Sequence, residues 1–385
     1  MSGSTPELAL STAVDSDDAA DYLTLSLANS LRTVDGLFSS TTGHTHSGAH
    51  QGGAIGTIPA GSIPDGSITS AKLADGTIAT TDLADRSVTN IKLGTDTARA
   101  NLLTNGGFEI WQRGNGPFNV GGQYDADRWA HGPSGTDTMS VSRNTANKEV
   151  ASQYCSAVTF TLGTGAGQST VNQKVEDASQ LQGRQITFSC RVWTSAVGSV
   201  RLAIHDGTWH FGTGNAQTTG YETLTFTWTV PSSVTAIFVG ISFTASCTAY
   251  LDNAMLVVGS VPADYAPLHP ADDLARCLRY YETMGKIGAE PIATAQAYST
   301  TQAIVPLRWK VAKAATPVVT VVSAGNYWLT SATATNLVCT TLTSSTETAD
   351  GARLSAAVAS GLVAGNASIL WPSASGTPIL IEANP

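Results

Sequence analysis

"QITFSCRVWTSA" (residues 185–196) and "SVRLAIHDG" (199–207) decide the fold class. Apolar and polar residues alternate along both, β-branched and aromatic types recur, and a Gly/Ser turn separates them, as in neighbouring β-strands. "ETLTFTWTVP" (222–231) and "AIFVGISFTA" (236–245) repeat the pattern. Residues 99–268 are therefore predicted to form a β-sandwich. A short amphipathic helix, "ADDLARCLRYYETM" (271–284), interrupts the run of strands, and "AIVPLRWKV", "TPVVTVVSA" and "TPILIEANP" then build a second β domain over 269–385.

Composition agrees with a mostly β chain. Only 13% of the 385 residues are charged, while Gly, Ser, Thr and Ala abound, which suits short strands and turns better than helical bundles. The net charge of -9 argues against gripping a phosphate backbone, so nucleic acid is not an expected partner. No apolar run reaches the length of a membrane helix, and "MSGSTPELAL" lacks the basic and apolar regions of a secretory signal. Cys155, Cys190, Cys247, Cys277 and Cys339 are odd in number and form no CxxC pair. They read as reduced, mostly buried thiols of a chain that folds in a cytosol.

Upstream, residues 1–42 contain one helix candidate, "SDDAADYLTLSLANSLRTVDGLF" (16–38), with Ser16 placed to cap it and Gly36 to end it. Its apolar stripe, Ala20, Leu23, Leu27, Leu31 and Val34, fits an amphipathic helix lying on its own domain or a small coiled coil. Residues 43–98 follow another rule. Ile58, Ile63, Ile68, Leu73, Ile78, Leu83, Val88 and Leu93 recur every fifth position, a period that neither a strand nor an α-helix turns into one face. Pro59, Pro64 and the glycines at 56, 61, 66 and 76 exclude a continuous helix, so the chain must turn between apolar steps. Eight such side chains cannot offset the entropy of ordering this stretch in one chain. Identical chains wrapped about a common axis can, which predicts a fibrous shaft, with a disordered linker as the alternative.

"GHTHSGAHQGG" (43–53) sets His44 and His46 on one side of an extended backbone. Around a threefold axis they would supply six nitrogens, a set suited to iron or another transition metal. A polar hinge, or axial histidines bonded only to one another and to water, fits as well.

Three phrases carry a family resemblance: "NLLTNGGFEIWQRG" (101–114), "YDADRW" (124–129) and "VPADYAPLHPADDLARCLRYYE" (261–282). They resemble tail-fibre and receptor-binding proteins of tailed bacteriophages, and the shaft is similar to theirs. Within the sandwich, "NLLTNGGFE" and "AYLDNAML" resemble carbohydrate-binding modules of the jelly-roll type. The resemblance implies a virion protein assembled in the host cytoplasm, commonly a homotrimer. The amino-terminal part would join the phage tail, baseplate or other virion proteins, the shaft would be trimeric, and a glycan-binding domain would engage a host cell-surface glycan. A fibre or decoration protein serving assembly is the alternative, and a polysaccharide-degrading tailspike the third. In modules of this kind an acid in each phrase, here Glu109 and Asp252, helps hold a structural calcium; salt bridges or surface acids are the other reading.

Sugar binding needs flat aromatic faces beside amides and carboxylates. Trp209 in "HDGTWHFGTGN" (205–215) is the leading candidate, with His210, Asn215 and Gln217 nearby, and Tyr327 and Trp328 in "GNYWLTS" (325–331) are similar candidates. Trp111, Trp129, Trp193 and Trp228 sit in strand or motif contexts and are expected in the core. Asp125 and Asp127 have the alternation of paired glycosidase acids, but the adjacent Arg128 and Trp129 suggest a buried turn. No GxSxG, HExxH or P-loop is present, and the chain is expected to bind rather than catalyse.

Overall fold

The computed structural model describes residues 63–83, 100–164, 168–285, 290–331, 333, 335–373 and 378–384. The amino-terminal helix candidate, His44, His46, Ile58, Val88 and Leu93 lie outside them. The chain divides into two units, Met1–Leu83 and Ala84–Pro385.

In the first unit the chain turns at every apolar step. Ser67 N donates to Pro64 O at 3.1 Å and Thr77 N to Ala74 O at 3.2 Å, while Lys72 N reaches Thr69 O and Asp82 N reaches Ala79 O at 2.9 and 3.0 Å. Gly66 and Gly76 take φ of 75° and 78°, a region that a side chain resists. The backbone thus repeats every ten residues, with two turns and two apolar side chains per repeat. Ile63, Ile68, Leu73, Ile78 and Leu83 are all exposed.

The second unit is mostly β. Its sandwich pairs two five-stranded sheets. One contains β1 (Ala130–Gly132), β4 (Ser169–Lys174), β6 (Val200–His205), β7 (Trp209–Gly214) and β9 (Phe238–Phe243). Its spatial order is β1-β4-β9-β6-β7. The other is built from β2 (Thr138–Asn144), β3 (Cys155–Thr161), β5 (Gln185–Thr194), β8 (Glu222–Thr229) and β10 (Cys247–Val258), in the order β2-β3-β10-β5-β8. Alternate residues of both sheets meet in one core, where Phe160 of β3 packs on Phe243 of β9 with ring centroids 5.3 Å apart. All five cysteines are free and buried, and burial pushes the Cys155 thiol up to about 11, which keeps it protonated and inert.

The "NGGFE" phrase closes the end of this core. Asn105, at φ 53°, is fully buried. Its amide nitrogen donates to Ile110 O and Asp127 O, and its side-chain oxygen accepts from the backbone of Glu109 and Ile110. Gly106 is required because a Cβ there would sit 2.2 Å from Ala254 O. Trp129 stacks on Phe108 at 4.7 Å and donates its indole N–H to Asn105 O.

The predicted helix is shorter than its pattern. α1 spans Pro270–Leu278, with Pro at its start and two acids in its first turn. Residues 281–284 instead form β11 (Tyr281–Met284), because tertiary partners hold them extended. β11 pairs with β19 (Ile379–Glu382), and the Arg113 and Arg128 guanidiniums lie 3.6 Å from the ring centroids of Tyr281 and Tyr280. With β14 (Val318–Thr320), β11 and β19 make a three-stranded sheet. A closed barrel completes the unit: β12 (Ala293–Ala297), β13 (Gln302–Arg308), β15 (Tyr327–Thr330), β16 (Asn336–Ser345), β17 (Gly351–Val358) and β18 (Ala367–Pro372).

Candidate functional site

On β6, Leu202 and Ile204 enter the core, so Arg201, Ala203 and His205 point out of the sandwich. Register extends this outer face across the sheet. Arg201 lies beside Ser242 and, one strand further, Thr170; Ala203 lies beside Gly240 and Asn172; His205 lies beside Phe238 and Lys174. From β7, Trp209 joins the His205 row and Phe211 the Ala203 row.

Small residues make room for an aromatic platform here. A Cβ on Gly240 would come within 3.3 Å of the Trp209 ring. The outer edge of the indole therefore reaches over Gly240 on β9, two strands away. Trp209 and Phe211 are nearly parallel, 18° apart with centroids at 6.4 Å, and His205 meets both Trp209 (4.9 Å) and Phe238 (5.8 Å). All four rings are only partly buried. Asn172, whose amide donates to Thr170 Oγ1 at 2.9 Å, adds hydrogen-bonding capacity beside them. Flat apolar faces edged by amide and hydroxyl groups are what a sugar ring requires.

The sequence candidates divide. Trp209 belongs to this face, although it opens strand β7 rather than sitting between strands. His210 points the other way, stacking on Trp228 at 3.7 Å and sharing a 2.9 Å hydrogen bond with Asp206. Asn215 is a buried structural amide, donating to Thr194 Oγ1 and Ala196 O, so it is withdrawn as a sugar contact. Gln217 is exposed in the loop beyond the opposite end of β7, its amide on Tyr221 O. Tyr327 is also withdrawn: it faces the barrel core and is fully buried. Trp328, its neighbour, necessarily faces out and pairs across strands with Trp371 and Val338. Sequence reasoning missed Arg201, His205, Phe211, Phe238 and Asn172; of these, Phe211 was signalled by its place two residues after Trp209.

Glu109 and Asp252 both hold the loop at 149–154. Glu109 accepts from the Gln153 and Tyr154 N–H groups, and Asp252 from the Glu149 and Asn253 N–H groups and the Ser152 hydroxyl. Their oxygens meet donors rather than converging with the six to eight oxygens that calcium takes. As placed, they do not fit that ion. Among the described residues no group of three or more His, Cys, Asp or Glu could hold a metal.

Asp125 and Asp127 are buried, Asp125 sharing a 3.1 Å hydrogen bond with His131 and Asp127 bonded to the Gln112 side chain. Burial pushes both Asp127 and Asp252 up to about 6, against the hydrogen bonds that they accept. Their folded pKa thus exceeds the unfolded value, and the folded chain holds protons that the unfolded chain has released. Stability should fall as pH rises from about 4 through about 6, by up to roughly 3 kcal/mol per group. Urea midpoints should be higher near pH 5 than near pH 7.5, and Asp252→Asn should flatten the slope. Equal midpoints at the two pH values contradict this.

No family model and no curated protein matches the chain. Solved structures similar to it include a CBM4 module, at 18% identity over 40% of this chain and 98% of that one, with a TM-score of 0.29. The CBM22-1 xylan-binding domain of Paenibacillus barcinonensis Xyn10C is similar at 15% identity over 43% and 99%, also at 0.29. The enzymatically active domain of bacteriophage CBA120 tailspike protein 4 is similar at 13% identity over 41% of this chain and 21% of that one, again at 0.29. At such scores, function has to be read from this chain's own side chains.

Proposed function

We propose that the chain is a non-enzymatic glycan-binding protein, a tail fibre or receptor-binding protein of a tailed bacteriophage that uses the outer face of its sandwich to hold a host cell-surface polysaccharide. The observation that carries this reading is Trp209 reaching over Gly240, nearly parallel to Phe211 and beside Asn172. In the same reading the period-five segment assembles three chains into a stalk, which the exposed Ile and Leu side chains of its turns support.

A shallow site of this kind is weak alone, about millimolar, or about -4 kcal/mol. Trp209→Ala should weaken polysaccharide binding roughly 10- to 100-fold. Gly240→Val should do the same while keeping the indole, since the added carbons lift it from the sheet. Titration calorimetry against a polysaccharide panel reads the loss, and circular dichroism confirms the fold. Unchanged binding by both folded variants would move the site elsewhere, first to Trp328 and Trp371.

A further inference from the structure

The outer face carries the cations Arg201 and Lys174, with the His205 imidazole beside them, and no carboxylate. Its positions on β4, β6, β7 and β9 include Arg201, Lys174 and His205, but neither Asp nor Glu, in a chain with 29 acids against 20 Lys and Arg. Elsewhere in the second unit Arg113, Arg191, Arg279 and Lys313 each face a carboxylate, while Arg128, Arg143 and Lys148 are held by backbone carbonyls or aromatic rings instead. Arg201, Lys174 and His205 have no such partner among the described residues. The acids that follow them in sequence are already engaged. Asp206 accepts from Trp228 Nε1 and His210 Nε2, and Glu176 pairs with Arg279.

Arg201 is also held in place. Its guanidinium carbon sits 3.7 Å from the Phe211 ring centroid, and its Nε is buried without a hydrogen-bond partner. Beside it in register, Ser242 is 0% exposed, and its hydroxyl also has no partner. Buried polar atoms are normally satisfied. These two lie in one row beneath the surface, at a guanidinium with no carboxylate partner, whose remaining N–H groups are the donors open to a ligand. A guanidinium's fork of N–H donors matches a carboxylate best.

We infer that the polysaccharide held by this face is acidic, its carboxylate meeting the Arg201 guanidinium while sugar rings lie on Trp209 and Phe211, and that Lys174 favours a further acidic group. This rests on the glycan-binding reading above. The test uses the full chain with polygalacturonate, alginate, hyaluronate and polysialate, each beside its carboxyl-reduced form, at low and high salt. At least one acidic polymer should bind about tenfold or more tightly than its reduced form, with the difference shrinking as salt rises. Arg201→Gln should remove that difference, read as the ratio of acidic to reduced affinity within the variant; Lys174→Gln, on a partly buried side chain, should halve that ratio or more. If the reduced forms bind as well as the acidic ones, or if Arg201→Gln weakens both alike, the inference falls and glycan binding stands. If acidic binding survives Trp209→Ala unchanged, the attraction is charge alone and the inference is again overturned. If no polymer of either kind binds, the glycan-binding reading itself fails.

Discussion

Glu282→Gln should cost the second unit about 3 to 5 kcal/mol. Glu282 lies on β11 in the three-stranded sheet, and Lys313 lies in the segment leading to β14. Both side chains are fully buried, with Nζ and Oε2 2.6 Å apart. Lys313 also donates to Leu278 O at the end of α1, and Glu282 accepts from the Lys310 backbone. Burial pulls the Lys313 pKa below that of an ordinary lysine, and Glu282 acts against that pull. An ammonium left with neutral carbonyls alone must shed its proton or draw water into the packing. Either route is costly, whereas an apolar pair of similar volume has no charge to solvate. Glu282→Leu combined with Lys313→Met should therefore recover most of the loss. Urea unfolding followed by tryptophan fluorescence measures both, and a loss under about 1 kcal/mol for the single variant would show that the pair is not dry.

The same physics explains what could be read from the sequence. Alternation is local, so β5, β6, β8 and β9 are legible in "QITFSCRVWTSA" and the phrases after it. The five-residue period is local too, and the turns at Pro64–Ser67 and Ala74–Thr77 follow from Gly66 and Gly76. The site is not local. Trp209 matters because Gly240 leaves a shelf two strands away, and Asn172 reaches the same row from a third strand. Only register brings those positions together, and nothing within ten residues of Trp209 announces it. His210, adjacent to Trp209, must point into the sandwich for the same reason that Trp209 points out. Tyr327 and Trp328 obey that rule as well. Closure of the barrel decides which of the two is buried, and it chooses the one whose neighbours are Leu329 and Leu370. The end of α1 was hidden because Tyr280 and Tyr281 continue a helical pattern, while their actual partners, Arg128 and Arg113, come from two phrases far upstream, at 124–129 and 101–114.

Replacing Ile68 and Ile78 together by Asp should abolish assembly and with it most binding to a polysaccharide-coated surface. In one chain these isoleucines are 53% and 52% exposed, and the turns on either side keep them outward rather than folding them into a core. Such a ladder is stable only if copies of the chain bury it against one another. Each Asp would then place three carboxylates around one axis, where they repel and cannot be solvated. Sedimentation equilibrium at micromolar concentration should report three chains for the native sequence and one for the variant. The sandwich, whose core lies within its own sheets, should keep its intrinsic affinity for a short oligosaccharide. Binding to a surface should fall about 10²- to 10⁴-fold, because the second and third sites lose the local concentration that the first contact gives them. A native chain that sediments as a clean monomer would end the trimeric reading. A native trimer whose dispersed variant still held the surface as tightly would show that avidity contributes nothing, and one sandwich face would then have to supply the whole affinity.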